Sequence, residues 1–69
     1  MPNKNKIGEK IKTLMEVRNV SLEELANDSD VNIELVEKIL NGEIIPSLTP
    51  LTKIARVLGV RIGTFIDDD

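Results

Sequence analysis

The chain has 69 residues, room for one small domain, with no cysteine, no histidine and Phe65 as its only aromatic residue. That composition removes disulfide and thiolate chemistry, the commonest general base and metal ligand, and the aromatic platforms on which single strands stack. The net charge of −3 is unevenly spread: residues 1–18 sum to +3, 19–45 to −6 and 46–66 to +3, while Asp67, Asp68 and Asp69 add −3.

Helical periodicity runs through the chain. Ile7, Ile11, Leu14 and Met15 recur at i, i+4, i+7 and i+8, which predicts an amphipathic helix over 7–18, broken at Asn19 and Val20. Ser21 then opens a second helix with a capping box: its hydroxyl can accept from the third helical N–H while Glu24 reaches back. Val20 and Leu25 are placed as a hydrophobic staple across that start, and Leu22, Leu25 and Ala26 form the buried side of a helix ending near Asp28. Ser29, Asp30 and Val31 make a tight connection.

Asn32 is a good N-cap for a third helix, and Val31 with Val36 forms a second staple. Leu35, Val36, Ile39 and Leu40 are its apolar positions; Asn41 and Gly42 end it, Gly42 in the left-handed region. Glu43 to Ser47 reads as a loop. A fourth helix starts at Ser47 or Thr49, since Pro50 is tolerated in a first turn. Leu51, Ile54, Ala55 and Leu58 form its inner stripe and Gly59 stops it. Val60, Ile62, Phe65 and Ile66 suggest a last helical turn. Residues 1–6 read as a flexible arm, 7–66 as the domain and 67–69 as an acidic tail too unconstrained to chelate a cation. No apolar run exceeds two residues, so no membrane span or signal segment is expected, and a cytoplasmic location is.

A seven-residue helix, a three-residue turn and a second helix have helix-turn-helix spacing. Ala26 permits a close crossing, and Val31 plugs the gap between the rods. The stretch SLEELANDSDVNIELVEKILNG, followed by IPSLTPLTKIARVLGV and preceded by IGEKIKTLME, resembles the Cro and phage-repressor class of helix-turn-helix domains, the XRE family, over about Ile7 to Ile66. The close LGVRIGTFIDDD also looks like the head of regulators in which a cupin-type barrel follows.

The resemblance implies an all-α, lambda-repressor-like fold, a compact five-helix bundle with a central helix-turn-helix. It further implies a sequence-specific transcriptional regulator acting on double-stranded DNA, with the helix at 32–41 in the major groove. Asn32, Ile33, Glu34, Glu37, Lys38 and Asn41 match the positions that meet base edges or phosphates. The helix starts at Ser21, with Leu22, and at Ser47, with Thr49, match phosphate seats. Leu22 stands where relatives carry Gln but reads first as a core cover, and Ser47 and Thr49 read first as caps and only second as phosphate ligands. Asp30 stands where Gly is usual.

Ile62, Phe65 and Ile66 match the neighbourhood that pairs two subunits into a homodimer. Lys4, Lys6, Lys10, Lys12, Lys53 and Arg56 are either phosphate clamps or a solvated face. A rival reading keeps the scaffold but uses Leu40, Ile44 and Ile45 to bind protein, with DNA affinity lost. No catalytic pair, cofactor, metal or small-molecule ligand is expected.

Overall fold

The structure, a computed structural model, describes residues 6–66, with Ile66 in its backbone only. Lys4 and the rest of 1–5, and the aspartates at 67–69, lie outside the described residues. Five helices follow one another: α1 (Ile7–Arg18), α2 (Leu22–Ser29), α3 (Ile33–Leu40), α4 (Leu48–Leu58) and α5 (Gly63–Ile66). No strand occurs among the described residues, and no helix is long and apolar enough to cross a membrane.

Four helices end by the same local device. The residue after the helix turns left-handed: Asn19 (φ 58°), Asp30 (φ 60°), Gly59 (φ 73°) and, one position beyond Asn41, Gly42 (φ 77°). The next N–H then reaches back to satisfy a carbonyl the helix would leave open. Val20 donates to Met15 (2.8 Å), Val31 to Ala26 (3.1 Å), Glu43 to Lys38 (2.9 Å) and Val60 to Ala55 (3.0 Å). Three of the four donors are valines that turn inward. Val31 is in the core and Val20 and Val60 pack against it, so each stop also fixes where the next helix leaves.

The helix starts are less uniform. Ser21 Oγ accepts from the Glu24 N–H (3.1 Å), and Glu24 Oε1 accepts from the Ser21 N–H (3.0 Å), completing the expected box. Asn32 Oδ1 accepts from the Glu34 N–H (2.7 Å). At α4, Ser47 is the N-cap, as expected, and Thr49 lies inside the first turn, so the start at Thr49 is excluded; the Ser47 side chain makes no cap bond. Lys6 is the N-cap of α1, and its carbonyl accepts the first α1 bond, from Lys10 N–H (3.0 Å). α2 runs one residue past the expected end. Ser29 is its last helical residue, buried, with its hydroxyl donating to the Leu25 carbonyl (2.5 Å).

The core joins all five helices. Ile11 of α1, Leu25 of α2, Val36 and Ile39 of α3, Leu51, Ile54 and Leu58 of α4 and Phe65 of α5 are buried together. Burying a side chain of this size contributes about 1.5–3 kcal/mol each, which is how a chain this short offsets its ordering entropy. α3 packs on α1 and α2, α4 on α2 and α1, and α5 on α1. Lys10 Nζ fastens the last contact by donating to the Thr64 carbonyl (3.1 Å).

Gly8 sets the α1–α3 contact. A Cβ on Gly8 would stand 2.8 Å from the Leu40 carbonyl oxygen and closer still to that of Ile39. Both are backbone atoms in the last turn of α3, so neither can swing aside. Gly8→Ala is expected to lower stability by about 1–2 kcal/mol, overpacking outweighing the helix propensity gained. Gly63→Ala, with nothing within 4 Å of its Cβ position, is expected to be neutral or stabilising. Urea-unfolding midpoints of the two variants check this.

Candidate nucleic-acid interface

Val36 and Ile39 have no exposed surface, and they anchor α3 by its inner side. The helical period then turns the other residues outward. Asn32, Ile33, Glu34, Glu37, Lys38 and Asn41 are all exposed. The structure thus brings all six expected α3 residues onto one open surface. Ile33, Glu37 and Asn41, four apart, line one ridge; Glu34 and Lys38 line the next, in the order that favours an i,i+4 pair. Two of the amides are partly engaged within the chain. Asn32 uses its oxygen as the cap, and Asn41 Nδ2 donates to Glu43 Oε2 (3.4 Å).

The three helix starts around this surface differ in charge. At α2 the Ser21 N–H is taken by the Glu24 carboxylate, and Glu23 adds a second negative charge in the first turn. At α3, Glu34 sits in the first turn, and Glu23 and Asp30 line the depression that also holds Asn32 and Ile33. Both starts already carry the chain's own anions, which suits the helix dipole and opposes a phosphate. At α4 the first turn holds no acid and Ser47 makes no side-chain cap bond. Treating Ser21 and Ser47 as equivalent seats therefore missed a difference. The available signal was the absence of any acid between residues 46 and 66.

Other expected residues divide between surface and core. Leu22 is half-buried and packs against the core, as its covering role requires. Ser47 and Thr49 are exposed. Phe65 is only 2% exposed, which removes it from a subunit-pairing surface: it is spent on the protomer's own core. Ile62 is half-buried against that core. Lys6, Lys12, Lys53 and Arg56 are exposed, whereas Lys10 is engaged with α5. Of the apolar residues proposed for protein binding, Leu40 and Ile44 pack against the core and Ile45 is 64% exposed. Leu48, equally exposed beside it, and Val17, more so on α1, escaped the sequence reading.

A short helix crossed by a second that presents six side chains to solvent, inside a five-helix bundle, defines a helix-turn-helix domain. The chain belongs to the Cro/C1-type HTH DNA-binding domain family, which it matches over residues 10–69. This is a family of DNA-binding regulatory domains. No curated protein and no solved structure matches the chain.

The two serine starts are distinguishable by stability. Ser21→Ala is expected to cost about 1 kcal/mol, because it breaks a reciprocal pair of bonds. Ser47→Ala, which breaks none, is expected to stay within about 0.5 kcal/mol of the parent. Chemical denaturation followed by circular dichroism measures both.

Proposed function

We propose that the chain is a sequence-specific transcriptional regulator that lays α3 in the major groove of duplex DNA. The observation that carries this reading is the surface of α3: all six outward residues are exposed, while Val36 and Ile39 hold the helix rigidly from behind. A major groove admits a helix presented in this way.

On this reading the phosphate seat is the start of α4, where Ser47 and the N–H groups of Leu48 and Thr49 meet a backbone oxygen. The Ser21 start contributes less, because a phosphate there faces Glu23 and Glu24. Lys38, Lys53 and Arg56 add charge at the edges. The reading extends to a homodimer with two α3 helices about 34 Å apart on a palindromic site. Ile62 and Ile66 supply its pairing surface.

The acidic stretch 19–45 favours a second reading, in which the scaffold binds protein through Ile33, Ile45 and Leu48, exposed apolar residues near a negative surface. Titration with genomic-fragment and random-sequence duplexes separates the two. The DNA-binding reading expects association at about 50 mM salt, with a log–log salt slope of about −2 to −3 per protomer, about −4 to −5 for the dimer, since each protomer neutralises only two or three phosphates. Lys38→Glu is expected to weaken every duplex about equally. No association at that salt concentration would leave the protein-binding reading standing.

A further inference from the structure

Resting on the DNA-binding reading, we infer that α3 reads pyrimidine edges. Glu34 and Glu37 accept hydrogen bonds from cytosine N4 amino groups, and Ile33 packs on the C5 methyl of thymine.

The face is rich in acceptors and poor in donors. Guanine presents two acceptors in the major groove, N7 and O6, and its usual partner is an arginine. The three arginines of the chain are Arg18, Arg56 and Arg61, none of them on α3. Lys38 is the single cation there, one turn after Glu34 and so spaced to be offset by it. Adenine is read by an amide that accepts from N6 and donates to N7 at once. Asn32 is poorly placed for that pair of bonds, because its oxygen already accepts from the Glu34 N–H (2.7 Å), which fixes the amide in its cap orientation. Asn41 sits beyond the last helical residue with its nitrogen turned to Glu43.

A carboxylate set against N7 or O6 is repelled and loses its hydration without return. The same carboxylate set against the N4 amino group of cytosine gains a charge-assisted bond. Glu34 and Glu37 are exposed and three residues apart, so both reach the floor of a groove along one side of the helix. Ile33 stands at the N-terminal end of that side, 38% exposed and without polar atoms in its side chain. At a base edge it gains only from a methyl group, which thymine alone supplies among the unmodified bases.

The test is selection from a randomised duplex library at about 50 mM salt, followed by affinity measurements on the selected site. Wild-type protein is expected to select cytosine at two positions. Exchanging thymine for deoxyuridine, which removes only the methyl, is expected to weaken binding about threefold to tenfold at one position. Ile33→Ala is expected to abolish that sensitivity. Glu34→Gln and Glu37→Gln are each expected to move one position from cytosine to adenine, because glutamine makes the two-point adenine contact. These residues are exposed, and circular dichroism verifies that the variants fold. A wild-type site without cytosine preference, or one left unchanged by both glutamine variants, overturns the inference while the DNA-binding reading stands. A site indifferent to uracil removes Ile33 from it. Failure to select any duplex overturns both.

Discussion

The burial of Val36 and Ile39 is the constraint on which the functional surface depends. A helix of eight residues has almost no stability of its own, so α3 exists because these two side chains are packed between α1 and α2. Once they are fixed, the 3.6-residue period leaves no freedom for the rest: Glu34, Glu37 and Asn41 must point away. The ends are fixed independently. Asn32 closes the first turn, and the left-handed Gly42 closes the last. The approach of α1 at Gly8 presses on the carbonyls of that last turn. If α3 is the reading helix, as proposed, being held at both ends and along its back would leave it little freedom to lose on docking, so less ordering entropy would oppose binding.

What could be read from the sequence was what a few neighbouring residues decide. The Ser21–Glu24 box, the Asn32 cap and the stops at Asn19, Asp30, Gly42 and Gly59 each involve groups within a handful of positions. Local chemistry sufficed for them, and for the outward face of α3 that follows. Contacts between distant segments were not legible. Nothing around Gly8 signals that its missing Cβ makes room for Ile39 and Leu40, because the cause lies in another helix. Phe65 was misplaced for a related reason. α5 has four residues, too short to display a period, so its one aromatic residue could be assigned to surface or core with equal ease. Leu48 and Val17 were missed because an apolar residue in a helical pattern is normally credited to the core.

The distribution of charge acquires meaning only through the helix starts. Glu23, Glu24 and Glu34, three of the seven acids of the middle stretch, share one kind of position. They gather where the N-terminal ends of α2 and α3 expose their unpaired N–H groups. There they stabilise the two short helices of the motif, each by a fraction of a kcal/mol to about 1 kcal/mol. The same placement closes those ends to other anions. α4, longer and with four residues in the core, holds without such help, and its start stays open. Arg18 completes the pattern at the opposite pole. Its guanidinium lies against Gly59, at the carbonyl end of α4, where a cation is favoured.

Fold and face are therefore separable in this chain. Every residue that makes the helix-turn-helix pack points inward, and none of the six outward residues of α3 contributes to the core. Two carboxylates can occupy that face at no expense to folding, because water solvates them in the free protein. Their cost arises only on docking, when they lose that water beside a polyanion, and it is recovered only where a hydrogen-bond donor meets each of them. A basic reading helix gains affinity on any duplex and specificity on some. An acidic one loses on most sequences and breaks even on few, so its discrimination comes mainly from rejection. On the proposed reading, net attraction then comes from the cations at the edges together with neutral donors such as the N–H groups at the start of α4, which would hold a phosphate without adding charge to the surface.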